Sequence, residues 1–170
     1  LWVAGSFKGH GYANELLNYC MEDSKQKGKK GLCILSCAKK KPFLSDPKFL
    51  KYKGFEPCDE ADNGVQLWYL PFEKEAEPPK FMENARHPHI DEKGYVLFYT
   101  YQCPYNAKYV PVLENLAKEK DIKFKAVHIK SREEARNVPT PITTYALFCD
   151  GKYVTNEQMN DKRFLKIISK

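Results

Sequence analysis

The chain has 170 residues, a formal charge of +6, and 42% hydrophobic and 14% aromatic residues. That composition supplies buried cores and excludes a wholly disordered chain, and no apolar run approaches the roughly 18 residues of a membrane span. Lysines interleave with Glu and Asp throughout, as on a solvated surface, and the densest basic run, Lys39-Lys40-Lys41, is too short to indicate nucleic acid.

In chain order, Leu1-Trp2-Val3 reads as a strand and Gly5-Ser6-Phe7-Lys8-Gly9-His10-Gly11 as a glycine-rich turn. Ala13, Leu16, Leu17, Cys20 and Met21 share one face of a helix that Gly28 ends. Leu32 to Leu35 is a short buried strand. Ser45-Asp46-Pro47 starts a helix through Phe49 and Leu50, with a cap residue before proline, and Gly54 stops it. Val65 to Leu70 is a strand. Residues 73–93 are charged and proline-rich and form a linker. His87 and His89 flank a proline there and read as solvated side chains rather than metal ligands.

The second half alternates again. Tyr95 to Thr100 is a strand, and a helix follows Cys103 with Val110, Leu113, Leu116 and Ala117 on one face. Ile122 to His128 alternates as a strand. Ser131 and Glu134 make a capping box. Tyr145 to Phe148, the turn Asp150-Gly151 and Tyr153-Val154 form a hairpin, and Asn160 caps a last helix with Phe164, Leu165 and Ile168 inward. The fold class is α/β (α+β) in two parts, residues 1–72 and 94–170.

The six cysteines read as reduced thiols, because no secretion signal opens the chain. Cys33 and Cys149 lie in apolar strands, where burial hides them and disfavours thiolate. Cys33 and Cys37 have no second pair or histidine at zinc spacing, so no metal is expected. The absence of a leader points to the cytoplasm.

Two features carry chemistry. A Gly-x-Gly turn before an amphipathic helix lets the backbone approach a ligand closely, and the unpaired N–H groups of the first turn attract phosphate. The same glycines also suit a plain tight turn. Cys103 sits between a strand and a helix N-terminus, where thiolate is favoured. It also suits an inert turn cysteine.

The segment Lys8-Gly9-His10-Gly11-Tyr12-Ala13 resembles the acetyl-CoA pyrophosphate loop of GNAT acetyltransferases, Arg/Gln-x-x-Gly-x-Gly/Ala. Phe49-Leu50-Lys51-Tyr52-Lys53-Gly54-Phe55 is similar to the family's Phe-Tyr-x-x-x-Gly-Phe segment. The resemblance implies acetyl-CoA held by Val3, Lys8, Gly9, His10, Gly11, Tyr12 and Ala13. It also implies transfer of acetyl to an amine-bearing small molecule or peptide. The family's proton-donating tyrosine falls at Leu50, with Tyr52 on another helix face, and its asparagine falls near Phe43. The resemblance covers 1–72, and the strands that supply the family's amine site precede the loop without a counterpart here.

Cys103-x-x-Asn106 with Pro111 resembles the thioredoxin active-site helix, and Val138-Pro139-Thr140-Pro141 looks like its cis-proline loop, at Pro139 or Pro141. Asn106 stands where a resolving cysteine would, so Cys103 is implied as a single thiol, able to meet a thiol or disulfide partner but not to resolve a mixed disulfide. The pairing resembles YoaP-type acetyltransferases. Other readings are a monothiol redox domain and a binding module that presents substrate.

Overall fold

A computed structural model describes residues 3–39, 41 and 43–169. The chain divides into two compact units, one running to Glu60 and continuing as Gly64–Phe81, the other comprising Ala61–Asn63 and Met82 onward. No described helix is long and apolar enough to cross a membrane.

In the first unit, a single 3-10 turn at Gly5–Phe7 leads to α1, Tyr12–Gln26. Then come β1 (Gly31–Cys37), α2 (Pro47–Tyr52), β2 (Glu56–Glu60) and β3 (Val65–Pro71). The sheet order is β1-β3-β2, antiparallel throughout. Leu17, Leu50, Phe55 and Trp68 form the core, with Met21, Leu32, Ile34, Phe49 and Leu70 around it. Asp46 caps α2 by accepting the Lys48 N–H at 2.9 Å, ahead of Pro47. Gly31 admits a close crossing: a Cβ there would lie 2.3 Å from the Tyr69 ring, whose hydroxyl donates to the Lys30 carbonyl at 3.1 Å.

Several expectations change here. Leu1 and Trp2 lie outside the described residues, as does Lys40, and Val3 is irregular rather than in a strand. The buried stripe of α1 is narrower than its periodicity suggests. Leu17 is buried, while Leu16 and Cys20 are exposed, because a three-stranded sheet covers little of the helix. Cys33 is exposed rather than hidden, since β1 is a sheet edge. Its thiol nevertheless faces apolar neighbours, and that burial pushes its pKa up.

The second unit holds α3 (Glu83–Arg86), β4 (Tyr95–Tyr99), α4 (Pro104–Glu119), β5 (Phe124–His128) and α5 (Arg132–Asn137). It ends with β6 (Tyr145–Cys149), β7 (Lys152–Thr155) and α6 (Asp161–Ile168). The order is β5-β4-β6-β7; β4 and β5 are parallel and the other pairs antiparallel. The core gathers Leu97, Val110, Leu113, Tyr145, Leu147 and Phe164. Asp150 (φ 48°) and Gly151 (φ 85°) make the tight β6–β7 turn with both residues left-handed. Ser131 Oγ accepts the Glu134 N–H at 3.0 Å, while the Glu134 carboxylate reaches back one residue further, to the Lys130 N–H. Asn160 caps α6 through the Arg163 N–H at 3.0 Å. No cis peptide bond occurs among the described residues, so Pro139 and Pro141 are both trans. The segment read as a linker contains α3, and its Phe81 N–H donates to Asp59 at 2.7 Å.

Candidate functional site

The glycine loop is built by its backbone. Gly9 (φ 86°) and Gly11 (φ 85°) are left-handed, a conformation that favours glycine. Gly11 caps α1, and its carbonyl accepts the Asn14 N–H at 2.8 Å. Among the described residues, no acceptor meets the N–H groups of Gly9, His10, Gly11, Tyr12 or Ala13. Five consecutive open donors meet the positive end of the α1 dipole, with the exposed Lys8 beside them. A Cβ added at Gly9 or Gly11 would meet no atom of the described residues within 4 Å, which leaves room for a ligand beside the two glycines.

A cleft of about 140 Å³ is lined by Val3, Lys8, Gly9, Gly11, Tyr12 and Ala13, together with Phe7 and Asn14. His10 stands apart and lays its ring on Tyr12 at 5.9 Å. The sequence did not point to Phe7 or Asn14. Phe7, beside Lys8, was within reach of the motif's spacing. Asn14 gave no signal, because its role depends on Lys53, whose ammonium bonds its side-chain oxygen from α2. A second cleft, of about 190 Å³ and mostly apolar, lies between α1, β1 and α2, with Leu17, Cys20, Cys33 and Phe49 on its walls. Leu50 is buried, with 1% exposed, and carries no proton to donate. Tyr52 is 79% exposed and has the Lys53 ammonium 4.4 Å from its ring centre. Phe43 is exposed.

Cys103 is the half-buried cap residue of α4, with no side-chain capping bond. Asn106 is fully buried. Its amide donates to the Thr100 carbonyl at 2.9 Å and to the Thr144 carbonyl at 2.8 Å. Both amide protons are thus spent on main chain, and Asn106 clamps the turn ahead of Cys103 to the segment ahead of β6. Nearby in sequence, the Tyr101 and Tyr99 rings pack on His128 at 4.1 and 4.9 Å. Burial, and then Tyr101, push the Tyr99 hydroxyl pKa up.

Among the described residues, no group of three or more His, Cys, Asp or Glu could hold a metal. His87 instead meets Asp62 at 2.8 Å and Glu83 at 3.5 Å. The bond to Asp62 raises the His87 pKa above its ordinary 6.5. The pair therefore adds its stability at low pH and loses it as pH rises through the raised value. Proton NMR should give a His87 midpoint above 6.5 that falls in Asp62→Asn. An unchanged midpoint would assign the shift elsewhere.

The family model described as YoaP-like matches residues 123–166. The chain is 36% identical over 169 residues to the Bacillus subtilis (strain 168) protein named "Uncharacterized N-acetyltransferase YoaP", covering 99% of this chain and 67% of the relative. No solved structure matches.

Proposed function

The chain belongs to the YoaP-like family, and from that premise we propose that it transfers acetyl from acetyl-CoA to an amine through a GNAT-type pyrophosphate loop at residues 8–13. The run of open N–H groups from Gly9 to Ala13 carries this reading. It offers charge-assisted bonds to a pyrophosphate, with Lys8 adding a full charge. In the reaction the amine nitrogen attacks the thioester carbonyl, the carbon–sulfur bond breaks, and CoA leaves as a thiolate. The nitrogen sheds one proton and the thiolate takes one, and the Leu50 side chain has no ionisable group to relay it. From β4 onward, the strand-helix-strand-helix-strand-strand-helix order of the second unit supports a thioredoxin-like accessory module.

Chromatography of CoA tests the proposal. Incubating the protein with acetyl-CoA and a panel of polyamines, amino acids and lysine peptides should give amine-dependent CoA release, lost in Gly11→Val. Binding of acetyl-CoA without any amine-dependent release would contradict acetyl transfer.

A second reading rests on Cys103 as a half-buried thiol at the α4 N-terminus. Limiting iodoacetamide should label Cys103 first, ahead of Cys33, whose pKa burial raises. Glutathione disulfide should leave a long-lived adduct, since Asn106 cannot resolve it. Equal labelling of Cys20 and Cys103 in mass-spectrometric maps would make Cys103 an ordinary thiol and the second unit a binding module.

A further inference from the structure

Three aromatic rings crowd the glycine loop without being needed by the core. Phe7 is 55% exposed and Tyr12 43% exposed, and the His10 residue is exposed as well. Tyr12 lies at the centre, 5.9 Å from the His10 ring at 26° and 6.5 Å from the Phe7 ring at 53°. Water-exposed aromatic faces gain free energy when covered. Phe7 and Tyr12 also line the cleft that holds the open N–H groups.

We infer that this ring cluster is a stacking platform for the adenine of CoA, so that the protein selects nucleotide-bearing thioesters over pantetheine thioesters. The inference rests on the reading of residues 8–13 as a pyrophosphate loop. In CoA the adenosine is joined directly to the pyrophosphate, so a base anchored there falls beside the loop's own side chains. Those side chains, at positions 7, 10 and 12, are rings. The base stacks on an outer face of Tyr12 or His10. Inserting it between them needs about 7 Å, two aromatic contacts of about 3.5 Å, and the rings are only 5.9 Å apart.

Calorimetry with acetyl-CoA and with acetyl-4′-phosphopantetheine, which lacks the 3′-phosphoadenosine and one of the two pyrophosphate phosphates, tests this through the effect of a ring substitution on each ligand. Base–ring stacking supports about a tenfold effect. Acetyl-CoA should bind the wild-type protein more tightly than acetyl-4′-phosphopantetheine. Tyr12→Leu should weaken acetyl-CoA about tenfold and leave acetyl-4′-phosphopantetheine unchanged, while Tyr12→Phe retains wild-type affinity. Leucine suits the first turn of a helix, and Tyr12 is outside the core, so the variant should fold. Equal weakening of both ligands by Tyr12→Leu, or weakening of neither, overturns the platform and leaves the loop reading standing. Binding of neither ligand overturns the loop reading and the platform with it.

Discussion

Gly11→Val should weaken acetyl-CoA binding by at least about a hundredfold. Gly11 holds φ 85°, and a β-branched residue resists that conformation by about 1–2 kcal/mol. Relief of that strain would turn the N–H groups of residues 9–13 away from a shared focus. Each charge-assisted bond contributes about 1.5–3 kcal/mol, so losing two accounts for two or more decades. The valine side chain would also enter space that no protein atom occupies within 4 Å. Gly28 provides the control. It is left-handed too, at φ 67°, with nothing within 4 Å, at the far end of α1. Gly28→Val should carry a similar stability cost and leave affinity intact. Calorimetry that finds equal acetyl-CoA affinity before and after Gly11→Val would show the site to be elsewhere.

Asn106→Ala should cost about 2–4 kcal/mol of stability in urea unfolding. Asn106 has 0% exposure, and both its amide protons hold main-chain carbonyls. Alanine removes both bonds and leaves a small void. The Thr144 carbonyl keeps the Thr100 N–H at 3.2 Å, so the Thr100 carbonyl suffers more. Asn106→Asp should be worse still at neutral pH, because a carboxylate would face two carbonyl oxygens in a buried site. Burial raises such a carboxyl above its unfolded value of about 3.9, so Asn106→Asp should approach the wild type only as pH falls and the acid regains a proton to donate. A stability within about 0.5 kcal/mol of wild type for Asn106→Ala would refute the clamp.

The sequence announced elements that local chemistry specifies. Asp46-Pro47, Ser131 and Asn160 each carry their own cap, and Asp150-Gly151 carries its own turn, so these read correctly from a few residues. Strand β2 was illegible. Its residues Glu56-Pro57-Cys58-Asp59-Glu60 are mostly polar and include proline, which an edge strand tolerates and a central strand does not. The face of α1 was over-read at Leu16 and Cys20, because periodicity gives a helix's apolar side but not the width of what covers it. Cys33 was misread for a related reason: an apolar run does not reveal which strand becomes the edge. The glycine loop was legible as a motif, but its open donors were not, since an unpaired N–H is defined by what fails to approach it. Asn106 was recognised by its position in the motif, but its main-chain partners were not legible. A side chain's partners 6 and 38 residues apart leave no local trace.

Residues 8–13 are proposed to hold the pyrophosphate of acetyl-CoA. Titrating CoA into uniformly nitrogen-15-labelled protein and following the amide resonances tests it most directly. Saturable shifts should concentrate at Gly9, His10, Gly11, Tyr12 and Ala13, whose N–H groups meet no acceptor among the described residues, and should be lost in Gly11→Val. Saturable shifts confined to other residues, or no shift at any CoA concentration, would contradict it.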